Sequence, residues 1–172
     1  MIILNIILLP VAINIWTNKK EIRAVNIICG LISAIIAYLI ERNSYKIANY
    51  GLIVIFIEEC LKFISYRINN DSKAAGIGIG IGFAIMENIL VSFENGTGIF
   101  LERMLLNTLP HCLIGEVYDE LKSRNVVSWI SFVIAILLHA SFNLYIEVNN
   151  VLTLIILVIY VALQSLLRFR SI

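Results

Sequence analysis

An all-α bundle of about seven transmembrane helices is the fold this sequence predicts, and three observations predict it. The 172 residues are 60% hydrophobic and only 15% charged, with a mean hydropathy of +0.92, far from a soluble globular composition. Apolar stretches near the ~20 residues that one bilayer crossing requires recur along the chain. Short polar knots separate them. A soluble domain of useful size has no room, so residues 1–172 read as one integral membrane domain whose motif-bearing core spans about 46–147.

Met1 to Trp16 is apolar but short. With neither a basic segment before it nor a small-residue cleavage pattern after it, it predicts a first helix rather than a signal peptide, kinked by Pro10. Further helices are predicted at Ile22 to Ile40, Lys46 to Ile68, Lys73 to Phe93, Phe100 to Leu121, Val126 to Glu147 and Asn150 to Phe169. Knots such as Glu41-Arg42-Asn43-Ser44, Glu94-Asn95-Gly96-Thr97-Gly98 and Lys122-Ser123-Arg124-Asn125 read as turns between antiparallel helices. Connections on one side carry nine Lys and Arg, including Arg67, Lys73, Lys122 and Arg124, against Arg42, Lys46 and Arg103 on the other. That asymmetry predicts a multi-pass cell-membrane protein with its N terminus outside and its C terminus cytoplasmic.

The net charge of +1 and scattered basic residues exclude a nucleic-acid partner. Cys29, Cys60 and Cys112 form no CxxC pair and read as small core hydrophobes. Cys112 follows His111, but adjacent helical residues point ~100° apart, which disfavours a thiol nucleophile activated by that histidine.

The anomaly is Ile57-Glu58-Glu59-Cys60-Leu61-Lys62, two carboxylates and an ammonium inside an apolar run. A charge at that depth costs at least ~2.5 to 3.5 kcal/mol on insertion scales. The other ionisable groups within the spans are Glu87, His111 and His139, accompanied by Asn88 and Asn143. A single buried His or Asn often only bridges two helices. Four different helices supplying acid, base or ligand groups point instead to a functional site. At ~1.5 Å per residue, Glu58, Glu87, His111 and His139 lie roughly 18, 9, 16 and 12 Å below the outer surface, which places one polar cavity in the outer half.

Spacing adds detail. Lys62 stands i+4 from Glu58 and i+3 from Glu59, so it can pair with either. His139 and Asn143 are i, i+4, so imidazole and amide stack toward one point and can serve a developing oxyanion. Gly76, Gly78, Gly80 and Gly82 lack the ending of a phosphate-binding loop. Gly78 and Gly82 form a GxxxG face, which predicts close approach of the Glu87 helix to a neighbour.

Taken together, Glu58-Glu59-x-x-Lys62, Gly82-Phe83-Ala84-x-x-Glu87-Asn88, Arg103 with Pro110-His111, and His139-x-x-x-Asn143 resemble the PrsW family of intramembrane proteases. That family is related to the CAAX-processing and bacteriocin-processing proteases. The resemblance covers roughly Gly51 to Tyr145, with the motifs in order on consecutive helices. It implies hydrolysis of a membrane-anchored protein, such as an anti-sigma factor, near the extracytoplasmic side. Carried over by position, the active groups are Glu58, Glu59, Glu87, His111 and His139, with Asn143 in support. In the CAAX-type relatives the second motif ends in histidine, where this chain has Glu87.

On this basis Glu58 with His111 activates a water, His139 and Asn143 stabilise the oxyanion, Lys62 holds Glu59, and Glu87 orients a histidine or the water. A zinc-dependent version would draw ligands from His111, His139 and Glu87 or Glu58, although no HExxH motif is present. The competing class is a proton- or ion-coupled transporter, which needs polar access from both faces; a membrane scaffold with incidental polar contacts is the third.

Overall fold

The computed structural model describes residues 22–44, 50–69, 71, 74–96, 100–126 and 128–148. Every regular element among them is an α-helix: α1 (Ala24–Ser44), α2 (Tyr50–Ile68), α3 (Ala75–Asn95), α4 (Phe100–Ser123) and α5 (Ser128–Val148). The two further helices expected at Met1 to Trp16 and Asn150 to Phe169 lie outside the described residues. By length and composition α1 and α3 are apolar enough to cross a membrane, over Ala24–Asn43 and Ala75–Glu94.

Two of the polar knots are corrected. Glu41-Arg42-Asn43-Ser44 continues α1, and Glu94-Asn95 continues α3. Neither run holds a Gly or Pro to break a helix, and Asn43 turns its amide back to the Leu39 carbonyl at 2.7 Å instead of leaving the helix. The break comes one residue later, at Gly96, whose φ of 93° suits glycine.

The helix α3 is the centre of the packing, pressed between α1 and α4. Its alternating glycines explain this. Two residues along a helix turn the side chain by ~200°, so Gly76 and Gly80 mark one face while Gly78 and Gly82 mark the opposite one. A Cβ at Gly80 would fall on the His111 carbonyl of α4, and one at Gly82 on the Ile27 carbonyl of α1. Gly30 and Gly115 answer from α1 and α4 with equally close backbone approaches. The GxxxG face therefore meets α1, and a second stripe meets α4. Replacing Gly80 by Ala is expected to destabilise the bundle by about 3 kcal/mol or more, since backbone must move to admit the methyl. Gly51→Ala, with nothing within 4 Å of the added Cβ, should be close to neutral. Thermal unfolding of the two purified variants in detergent checks the contrast.

The α3 amino terminus is held from another helix. Asp119 of α4 accepts from the backbone N–H groups of Gly76 at 2.9 Å and Ile77 at 3.1 Å, two of the donors that a helix start leaves open.

Polarity is distributed inside out. Glu58, Glu59, Lys62, Asn88, His111, Asp119 and His139 are buried, whereas Ile28, Ile32 and Leu39 of α1, Leu52, Phe56 and Ile64 of α2, and Trp129 and Leu137 of α5 are exposed. Large apolar surfaces of this kind face water in few soluble proteins and suit a lipid surround.

Candidate functional site

Contacts along the helices show how the site is assembled. Cys29 and Ser33 of α1 meet Asn69 and Ser65 of α2, so these two run antiparallel. Gly76 and Glu87 of α3 meet Asp119 and Asn107 of α4, again antiparallel. The C-terminal half of α1, N-terminal half of α2, C-terminal half of α3, N-terminal half of α4 and C-terminal half of α5 thus gather toward one end. There a cavity of about 350 Å³ is lined by Ala34, Ala37, Tyr38 and Glu41 from α1, Val54 and Glu58 from α2, Phe83, Glu87, Leu90 and Val91 from α3, Asn107 from α4, and His139 and Asn143 from α5.

Lys62 is the hub behind this cavity. Its ammonium is ion-paired with Glu59, stands 3.9 Å from Glu58 Oε2, donates to His111 Nδ1 at 3.0 Å and lies 4.4 Å from the centre of the Phe83 ring. An ammonium has only donors, so Nδ1 of His111 accepts and its Nε2 carries the proton. That N–H donates to Glu87 Oε2 at 2.9 Å. The same carboxylate oxygen accepts from Asn107 at 2.9 Å, and Asn107 also donates to Asn88 Oδ1 at 3.1 Å.

Glu59, fully buried, is surrounded by donors: Lys62, the Tyr118 hydroxyl at 3.3 Å, and His139 Nδ1 at 2.7 Å. Such a carboxylate is tied to structure. Glu58 differs. Its Oε2 is buried without a hydrogen-bond partner, with His139 Nε2 at 3.6 Å and the Lys62 ammonium at 3.9 Å. A buried carboxylate that lines a cavity and lacks a donor at one oxygen is less tied to structure than Glu59 and is suited to act on a ligand or water there.

The six residues singled out from sequence fall into two layers. Glu58, Glu87, His139 and Asn143 line the cavity. Glu59 and His111 sit behind it, buried, and fix His139 and Glu87 respectively. The two histidine rings stand edge to face at 5.3 Å. Arg103 lies on α4. Cys112 is buried and does not line the cavity.

The metal alternative meets a physical obstacle. Among the described residues, the donor atoms that converge are those of Glu58, His111 and His139, within 4.8 Å of one another, which is the expected set with Glu58 rather than Glu87 as its carboxylate. In this arrangement neither nitrogen of His111 has a lone pair to give: Nδ1 accepts from Lys62 and Nε2 donates to Glu87. A dication would also sit against the Lys62 ammonium. The residues present do not fit zinc.

Sequence reasoning missed Asn107, Tyr118, Tyr38 and Glu41. The signal for two of them was present, since Asn107 is four residues before His111 and Tyr118 seven after it, all on one helical face. Tyr38 and Glu41 belong to a helix read only as a span; Tyr38 donates to Glu94 of α3 at 2.5 Å near the cavity. No protein-family model matches this chain, and no curated protein or solved structure matches it.

Proposed function

We propose that the chain is a multi-pass intramembrane peptidase of the PrsW type, cleaving a membrane-anchored protein by glutamate-activated water at an extracytoplasmic cavity. The single observation that carries this is Glu58, a buried carboxylate whose Oε2 has no hydrogen bond and which lines a cavity shared with Glu87, His139 and Asn143. The exposed apolar faces of α1, α2 and α5 support several crossings, and the two segments outside the described residues would bring the total to seven.

In the proposed reaction a water sits between Glu58 and Glu87. Glu58 takes its proton as the oxygen bonds to the scissile carbonyl carbon. Asn143 donates its amide N–H to the carbonyl oxygen as charge develops there, beside His139, which Glu59 locks in place. Glu58 then returns the proton to the amine nitrogen as the C–N bond breaks. Glu87, fixed by His111 and Asn107, positions the water. This moves His111 from partner of Glu58 to positioning residue for Glu87.

The test is to reconstitute the purified protein in liposomes with membrane-anchored reporter proteins and to map products by mass spectrometry. Cleavage near the extracytoplasmic boundary that survives a zinc chelator is the expected result. Inhibition by the chelator, reversed by zinc, would move the chemistry to the metal version. Proton or ion flux without hydrolysis of any reporter would replace the peptidase by a transporter.

A further inference from the structure

A second cavity, of about 200 Å³, lies at the opposite end of the bundle, where α2 and α4 finish and α5 begins. Its wall includes Arg67, Lys122, Asn125, Ser128, Ser131 and Tyr118, with no carboxylate in the lining. We infer that this cavity binds the phosphate of an anionic phospholipid headgroup at the cytoplasmic surface.

Two independent observations carry it. The first is charge: Arg67 and Lys122 converge on one hollow, and Arg67 already offers Nη1 to a hydroxyl, Ser128 Oγ, at 2.6 Å. The neighbouring Arg124 is occupied by Glu120 at 2.8 Å, so these two cations, rather than the third, are turned to the cavity. Basic residues at helix carboxyl termini also offset the helix dipole, which would account for Arg67 and Lys122 alone. It does not account for the second observation, a hollow of about 200 Å³ enclosed between them. Ser128 and Ser131 add hydroxyls to its wall, and no carboxylate there neutralises the two cations.

The source of the phosphate follows from position. This end carries Arg67, Lys122 and Arg124, the connections richest in positive charge, and Trp129 is exposed one residue beyond Ser128, as interfacial aromatics are. Basic pockets between membrane helices on the cytoplasmic side hold anionic headgroups. The inference rests on the membrane placement and not on peptide hydrolysis, which occurs at the other end.

The experiment uses the full chain, delipidated in neutral detergent and titrated separately with short-chain phosphatidylglycerol, phosphatidylcholine of the same chain length, and inorganic phosphate, with bound ligand read by native mass spectrometry. Phosphatidylglycerol is expected to bind, and the other two not to bind at matched concentration. Lys122→Gln and Arg67→Gln should each weaken it by roughly fivefold. Both side chains are exposed, and the three-ligand comparison on the unaltered protein stands even if a variant fails to fold. Equal binding of phosphatidylcholine, equal binding of inorganic phosphate, or undiminished binding by both folded variants would each overturn the inference. Loss of lipid selectivity with intact reporter cleavage would leave the peptidase standing, and the reverse outcome would leave the lipid site standing.

Discussion

Glu58→Gln is expected to abolish reporter cleavage, by a factor of at least ~10² to 10⁴, while leaving the bundle folded. The substitution keeps size and shape and removes the negative charge that accepts the water's proton. It should cost little stability, because Glu58 Oε2 holds no hydrogen bond to lose and its approach to Lys62 is long, at 3.9 Å. Glu59→Gln is the matched control. There the carboxylate receives Lys62, Tyr118 and His139, so its loss should appear first as a lower unfolding temperature. Unfolding and cleavage measured on the same preparations separate the two glutamates. A Glu58→Gln protein that still turns over would remove it from the role of base.

Lys62→Met is expected to be the most damaging single change to the fold. Lys62 has no exposed route to water, being 2% exposed, and it compensates Glu59 directly while supplying the proton that sets the tautomer of His111. Its removal leaves the Glu59 carboxylate buried without its cation. Breaking a buried pair by deleting one partner costs about 3 to 5 kcal/mol. The expected outcome is a chain that fails to accumulate in the membrane. Lys62→Met with Glu59→Gln should recover part of the loss, because the second change removes the charge that the first one stranded. Membrane abundance of the single and double variants, followed by unfolding of whichever can be purified, checks this. Equal abundance of Lys62→Met and the unaltered protein would show that the ammonium is not the hub.

Much of the helical plan was legible without coordinates. The starts and ends expected for the segments carrying Glu58, Glu87, His111 and His139 agree with α2, α3, α4 and α5 to within a few residues wherever the structure describes them. Hydrophobic runs of bilayer length leave little freedom in where a helix begins and ends. Polarity alone does not make a turn: Glu41 to Ser44 and Glu94 to Asn95 stay helical because polar residues without Gly or Pro need only a partner, which Leu39 and Tyr38 supply.

What the chain's order of residues determined by itself was an inventory: apolar helices, a glycine-striped helix, and a small set of ionisable side chains too costly to bury by chance. It also determined local pairs such as Lys62 with Glu59, since one turn of helix sets their distance. Which faces meet was decided only in three dimensions. The glycines serve two opposite neighbours, α1 and α4. Asp119 reached across to cap α3, and His111 was enclosed between Lys62 and Glu87 so that it supports the cavity from behind. Glu58 and Glu59 are adjacent in sequence and differ by one helical step of ~100°. That step, set by how α2 packs against α4 and α5, surrounds one carboxylate with donors and leaves the other facing a cavity.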